Sequence, residues 1–356
     1  MLQINFINYY ESIHLYQLYT GFGLLQAQNK CRCTYSPFSG YLLNKNGPRF
    51  LTLVLNDTQK IAYDMDDAHH IITDVFDWSD YYFKRSYSAE QHASYSPKIH
   101  PLGLYYLSYG PQMDSARRIS SNLNFSRLFE MQKLIKLFLT HSPAVSRQFA
   151  FSGGMASNWY ENFAGHPTSS TEPNIIFMTQ VWPVKPNYDH EIKIERRLIN
   201  EMRCECIRAL RKEFQHQFDG GIFPSEYALA NYKDCVINDP VVFRKDRYLQ
   251  RMHAADIGVA TMGLFGSNGG KLAEYVAAAK AIVSENLHYQ VPGVFKKDDN
   301  YLGFSTPEEC VAQVKRLVES PKLRFSMMRK NAAYYNQFLR PDRLVWNSLQ
   351  VALGRA

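Results

Sequence analysis

Apolar positions along this chain switch repeatedly between a two-residue and a 3.6-residue period, as expected of strands alternating with helices. "LQINFI" predicts a first strand, followed by an aromatic-rich helix from about Tyr10 to Gln28. "CRCTYS", "RFLTLVL" and "KIAYDM" predict three strands, and "DAHHIITDVFDW" a helix. "YYFKRS" and "KIHPLGL" predict two more strands, and "NFSRLFEMQKLIKLFLTH" another helix. A polar, glycine-rich stretch from Phe151 to Pro173 reads as a linker. Beyond it come "NIIFMTQVW" as a buried strand, Glu191 to Gln217 as a long amphipathic helix, and "DCVIN" as a strand. "KDRYLQRMHAA" predicts a helix and "DIGVATM" a strand. The loop "GSNGG" then runs into a helix, with "AIVSE" as the next strand and "NYLGF" further on. In "STPEECVAQVKRLVES", Ser305 or Thr306, Pro307 and two glutamates form a helix N-terminal signature. Two helices close the chain, Pro321 to Leu339 and Pro341 to Leu353.

Strands alternating with helices of this length argue for parallel sheets covered on both faces, hence an α/β protein. The 356 residues allow two such units, each with its own core. Ligands of open α/β sheets bind at the carboxyl ends of the strands, which directs attention to strand ends.

Composition narrows the partners. Hydrophobic residues at 46% and charged residues at 21% are ordinary for a globular protein. The 24 Tyr and 22 Phe fit a large aromatic core better than a stacking surface. A net charge of +7 suits anionic ligands or an anionic membrane surface. No run of five or six like charges occurs, so nucleic acid is not an expected partner. No stretch approaches a membrane span, and the N-terminus lacks a signal-peptide pattern, which predicts a cytoplasmic protein. The six cysteines include two C-x-C pairs but no C-x-x-C and no histidines at zinc spacing, so free thiols are expected.

"GSNGGKLAEY" carries the most specific chemistry. It fails the Walker A pattern twice, with Phe265 in place of the first glycine and Leu272 in place of the Ser/Thr that holds magnesium. It also lies too late in its unit for a dinucleotide fingerprint. As a phosphate-binding turn, the backbone amides of Ser267, Asn268, Gly269 and Gly270 would hold a diphosphate at the helix N-terminus. Lys271 would add charge, and Glu274 on the same face would accept from ribose hydroxyls. The alternative is a surface ion pair between Lys271 and Glu274, worth a few tenths of a kcal/mol.

The stretches "MHAADIGVATMGLFGSNGGKLAEYVAAAKAIVSENL" and "NYLGFSTPEECVAQVKRLVESPKLRFSMMRKNAAYY" resemble the carboxyl lobe of GT-B glycosyltransferases of the group 1 type that build bacterial surface polysaccharides. The resemblance covers about residues 250–340 and elsewhere rests on element order. It implies two Rossmann-like lobes facing a central cleft, with Glu274 as the ribose-binding glutamate. It also implies a last helix, Pro341 to Leu353, that crosses back to the first lobe. The implied organisation is an acceptor lobe over 1–165, a donor lobe over 166–340 and a terminal helix over 341–356. One departure is Gly266, where many retaining members carry a second glutamate, so the stereochemistry stays open.

In the first lobe, "KIAYDMDDAHH" resembles the metal-holding D-x-D of GT-A enzymes through Asp64 and Asp66, with Asp67, His69 and His70 beside it. Asp66 or Asp67 is equally suited to capping the next helix. Within a GT-B frame, Asp64, His69 and Glu11 are three unranked candidates for the base that deprotonates an acceptor hydroxyl. Lys84 and Arg85 end a strand and are candidates for an anionic acceptor or the leaving diphosphate. Gln180 and Trp182 end another strand, and Arg203, Arg244, Lys245 and Arg247 are basic residues near strand ends. Of these, Gln180, Arg203 and Arg247 are taken as donor-side candidates.

The expected activity is metal-independent transfer of a sugar from a UDP- or GDP-sugar to a glycan or lipid-linked saccharide. No obligate cofactor and no metal are expected, and the expected location is the cytoplasm, with peripheral docking on the inner membrane face left open. Rival expectations are a metal-dependent transferase using Asp64 and Asp66, a non-catalytic glycan- or nucleotide-binding protein, and a sugar-nucleotide epimerase.

Overall fold

A computed structural model describes residues 1–10, 12–36, 48–110 and 157–355. They form two compact units, Met1–Asn162 with Gln290–Pro292 and Gln337–Ala356, and Phe163–Tyr289 with Gly293–Asn336. Glu11, the helix expected at "NFSRLFEMQKLIKLFLTH" and residues 151–156 of the expected linker lie outside the described residues.

The first unit is built on β1 (Leu2–Asn8), β2 (Cys31–Tyr35), β3 (Phe50–Leu55), β4 (Gln59–Asp64), β5 (Tyr81–Lys84) and β6 (Ile99–Pro101), in the order β2-β1-β3-β4-β5-β6. The sheet is mixed where a parallel one was expected, because β3 runs antiparallel to both β1 and β4. The cause is local. Asn56 and Asp57 take φ of 50° and 61°, a conformation their short polar side chains tolerate, and they reverse the chain directly from β3 into β4.

Helix α1 (Tyr16–Ala27) is buried along nearly its whole length, which fits its mostly apolar and small residues, and its buried Gln17 donates to the Leu104 and Leu339 carbonyls at 3.4 Å each. Helix α2 (Thr73–Trp78) starts later than its apolar pattern suggests. The Ile72 amide donates to the Tyr82 hydroxyl at 3.1 Å, and the His69 carbonyl accepts from the His92 ring at 2.8 Å. These bonds hold the preceding residues out of helical register. The final helix of the chain, Pro341–Ala352, belongs to this same unit and packs on α1. Gly21 permits the approach, since a Cβ there would meet the Pro341 carbonyl oxygen at 2.3 Å.

The second unit has β7 (Ile175–Thr179), β8 (Phe218–Ile222), β9 (Ile257–Ala260), β10 (Ala281–Glu285) and β11 (Leu302–Phe304), all parallel, in the order β11-β10-β9-β7-β8. The central strands are buried on both faces, as their unbroken apolar sequences require. The sequence pattern misplaces the edge strand. "FDGGI" forms β8, whereas "DCVIN" makes only a 3-10 turn over Lys233–Cys235 and one bridge between Val236 and Ile222. Two glycines hide β8 from any apolar pattern. At Gly220 a Cβ would meet the Phe177 carbonyl oxygen at 2.8 Å.

Helices α3 (His190–Phe214), α4 (Glu226–Asn231), α5 (Lys245–Ala254), α6 (Gly270–Ala277), α7 (Pro307–Glu319) and α8 (Pro321–Tyr334) complete the unit, and the terminal Pro341–Ala352 helix is α9. The expected capping of α7 is realised. The Thr306 hydroxyl accepts from the Glu309 amide at 3.2 Å, and the Glu309 carboxylate accepts from the Ser305 amide at 2.7 Å.

Gly258 in β9 lies beneath the Tyr275 ring of α6, with 2.6 Å between a built Cβ and that ring. Gly258→Ala is therefore expected to destabilise the unit by about 1–3 kcal/mol by pushing α6 off the sheet. Chemical denaturation would measure the loss, and an unchanged midpoint would show that the helix seat is soft.

Candidate functional site

The glycine loop connects β9 to α6 at the carboxyl end of the parallel sheet. Its folding follows from two close approaches and one left-handed glycine. At Gly263 a Cβ would meet the Ser267 hydroxyl at 2.5 Å, at Gly269 it would meet the Thr261 carbonyl oxygen at 2.5 Å, and Gly266 has φ of +63°. The Gly263 amide donates to the Ser267 carbonyl at 2.8 Å, closing the turn. Ser267 and Asn268 are buried, and the Asn268 side chain donates to the Tyr289 carbonyl at 3.0 Å. The Ser267 amide, one of the expected phosphate-holding amides, is already taken up by the Leu264 carbonyl at 3.1 Å, and the Leu272 amide donates to the Gly269 carbonyl at 3.1 Å, while the start of α6 carries the positive end of its dipole.

At that helix start the structure assembles a charge cluster. The buried Glu274 carboxylate accepts from Lys245 of α5 at 2.5 Å and from Lys271 at 3.0 Å. The Lys245 ammonium lies 4.5 Å from the Phe163 ring centroid and 5.0 Å from that of Tyr248. Lys271 lies 3.4 Å from the Tyr248 centroid. Burial by itself would raise the Glu274 carboxyl, but the two ammonium groups outweigh it and hold it at about 2. Burial of the Lys271 head group pushes that amine down to about 8, against the attraction of Glu274. A third of the Lys271 side chain is nevertheless open to solvent, so its ammonium can turn to an incoming anion. Two cations on one carboxylate leave a net charge of +1 beside the helix dipole.

Lys271 and Glu274 are thus joined, and Lys245 is the partner that sequence reasoning passed over in favour of Arg247. The signal was present. The buried stripe Tyr248, Leu249, Met252 extended one turn back lands on Lys245, whereas Arg247 falls on the exposed face and pairs with Gln250 at 3.2 Å. Arg203 is buried and fully engaged. It donates to the Thr261 hydroxyl at 3.0 Å, the Gln180 carbonyl at 2.6 Å and the Met262 carbonyl at 2.9 Å. Burial lowers its guanidinium to about 10, with Glu285 opposing the shift. Arg203 therefore ties the ends of β7 and β9 together instead of presenting a free cation. The Gln180 side chain is exposed at the end of β7. The Trp182 amide donates to Asn200 at 2.7 Å, and Arg196 lies 5.8 Å from its ring centroid.

Phe265 is a further feature that the sequence pattern does not disclose. It has φ 59° and ψ 31°, a left-handed conformation that costs a bulky residue about 1–2 kcal/mol, and its side chain is 48% exposed. The Glu195 carboxylate of α3 accepts from its amide, and its carbonyl accepts from the Tyr289 hydroxyl at 2.8 Å.

In the first unit the expected site residues separate. Asp64 and Lys84 are fully buried and paired at 2.8 Å. Asp64 also accepts from the Tyr82 hydroxyl at 2.5 Å and the Asp66 amide at 2.9 Å. With its oxygens committed and water excluded, Asp64 is not placed to take a proton from a substrate or to ligate a cation. Lys84 is likewise not placed to meet an anionic acceptor. Asp66 caps locally, accepting from the Ala68 amide at 3.2 Å. Asp67 pairs with Arg85 at 2.6 Å and Arg49 at 3.0 Å, and Arg85 lies 4.8 Å from the Tyr105 ring centroid.

His69 is partly exposed beside His70, their ring centroids 4.2 Å apart, and burial plus neighbouring positive groups lower its imidazole. His14, which follows β1, was not singled out in the sequence. Burial and then Arg49 lower its imidazole to about 4, and its buried Nδ1 has no hydrogen-bond partner among the described residues.

All six cysteines are buried free thiols. Among the described residues no helix is long and apolar enough to cross a membrane, and no group of three or more His, Cys, Asp or Glu side chains gathers as a metal site.

No family model matches the chain, and no curated protein sequence is similar to it. Solved structures of glycosyltransferases are. A glycosyltransferase from Rickettsia africae matches at 11% identity over 95% of this chain and 81% of its own, with a TM-score of 0.42. Sucrose-phosphate synthase from Thermosynechococcus elongatus matches at 8% identity over 99% and 98%, with a TM-score of 0.41. A variant of S. aureus TarM, solved with fondaparinux, α-GlcNAc-glycerol and UDP, matches at 11% identity and a TM-score of 0.35. That match covers 53% of this chain, which spans little more than a third of TarM, 37%. Likenesses this loose carry no assignment of function, which rests on the site.

Proposed function

We propose that this chain is a glycosyltransferase. In this reading it moves a sugar from a nucleotide-diphospho-sugar, with a UDP- or GDP-sugar as donor, to a hydroxyl of a glycan or lipid-linked saccharide, without an obligate metal. The observation that carries the proposal is the Lys245–Glu274–Lys271 cluster at the amino end of α6, over the carboxyl ends of a parallel sheet. A diphosphate against the α6 amides would draw Lys271 toward it, and Glu274 would turn an oxygen to a ribose hydroxyl.

In the transfer, the acceptor oxygen forms a bond to the anomeric carbon as the bond from that carbon to the phosphate oxygen breaks. The nucleoside diphosphate leaves with the electron pair. Lys245, Lys271 and the helix dipole stabilise that developing charge, the task a divalent cation performs elsewhere. The acceptor proton goes to a neutral base. Of the expected candidates, His69 is partly exposed and its imidazole is lowered from its ordinary value by burial and neighbouring positive groups; His14, which the sequence did not single out, is lowered to about 4.

Thermal shift against UDP, GDP, ADP, CMP and TDP, in EDTA and in Mn²⁺, tests this directly. One diphosphate is expected to raise Tm in EDTA. Its effect should fade as pH rises through about 8, because the Lys271 ammonium is lost there, and Lys271→Arg should remove the fading. A shift that requires Mn²⁺, or no shift with any nucleotide, overturns the proposal.

A further inference from the structure

We infer that Phe265 is a stacking platform for the pyranose ring of the donor, an inference that rests on the proposed glycosyl transfer. Among the described residues no ring or cation contact engages the Phe265 side chain. Its ring is half exposed, and its left-handed backbone would suit glycine better. Yet the conformation is fixed from two sides, by Glu195 of α3 on its amide and by the hydroxyl of the buried Tyr289 on its carbonyl. Two distant side chains therefore hold the backbone where it projects an apolar ring into solvent, at the strand ends where open α/β sheets bind ligands.

The neighbouring groups choose between the two rings of the donor. A Cβ at Gly266 would lie 3.7 Å from the exposed His288 ring, and the Glu285 carboxylate, raised by burial, receives the Met262 amide at 2.8 Å. A hexose offers an apolar C–H face to a phenyl ring and equatorial hydroxyls to an imidazole and a carboxylate at its rim. A planar base stacked on Phe265 would put its edge groups beside the same residues without needing them.

The test is calorimetric titration of wild type, Phe265→Leu and Phe265→Trp with UDP and GDP, and with UDP-glucose, UDP-N-acetylglucosamine and GDP-mannose. Phe265→Leu is expected to weaken the sugar-nucleotide that the wild type binds by about three- to tenfold, while the parent nucleotide keeps its affinity and Phe265→Trp keeps both. Equal weakening of the free nucleotide would assign the ring to the base and overturn the inference. So would unchanged binding of every compound by Phe265→Leu. If the wild type binds none of the five, the proposed function itself falls and the inference with it. Phe265→Gly supplies the folding control. Its Tm should stay within about 2 °C of wild type or rise, since glycine relieves the left-handed strain, and a large fall would make Phe265 a packing residue and overturn the inference.

Discussion

Lys271→Ala is expected to abolish stabilisation by the nucleoside diphosphate and to lower kcat/KM for the sugar-nucleotide by about 30- to 100-fold, while the unliganded protein keeps its Tm to within a degree or two. The two halves of this expectation have separate origins. Lys271 is partly exposed and shares Glu274 with Lys245, so its removal leaves the carboxylate paired at 2.5 Å and disturbs the fold little. Against a bound diphosphate, the same ammonium is the mobile member of the cluster, and truncating a charged hydrogen-bonding partner of a ligand costs about 2–3 kcal/mol. Glu274→Ala should behave differently. It leaves two ammonium groups close together with no carboxylate between them, so it should lower the Tm of the unliganded protein as well as nucleotide affinity. Measuring Tm with and without nucleotide for both variants resolves the two effects. A Lys271→Ala protein with an undiminished nucleotide shift would reduce the cluster to a surface ion pair.

Asp64→Asn is expected to fail in folding, by about 3–5 kcal/mol, and not in chemistry alone. The substitution leaves the Lys84 ammonium fully buried with no counter-charge, its acceptor at 2.8 Å having become a neutral amide. Replacing both partners together, as Asp64→Leu with Lys84→Met, should recover most of the loss, because an apolar pair needs no desolvated charge to be balanced. Urea denaturation of the single and double variants measures this. If Asp64→Asn instead folds with an unchanged midpoint and loses only activity, Asp64 is a working base and the assignment of the first unit's chemistry to histidine falls.

Much of the architecture was legible because periodicity is a local property. The apolar runs of β1, β7, β9 and β10, the start of α7 and the stripe on α5 each follow from residues within one element. The glycine loop was legible for the same reason, since its close approaches involve neighbours in sequence such as Gly263 and Ser267. The antiparallel β3 was also within reach, because Asn56-Asp57 is a turn signal. The edge strand β8 was not, since its two glycines remove the side chains from which a pattern is read.

The candidate site divides along the same line. The sequence by itself determined that Lys271 and Glu274 share a helix face behind a phosphate-type loop, and that Asp64, Lys84 and Arg85 stand at strand ends. Only the tertiary structure decided that Lys245, 29 positions away, completes the cluster on Glu274, and that Glu195, 70 positions away, fixes Phe265. It also decided that Asp64 and Lys84 neutralise each other out of reach of solvent. The physical reason is that backbone periodicity sets the direction in which a side chain leaves its own element. Whether a charge there meets water, a ligand or an opposite charge depends on which distant element packs against it.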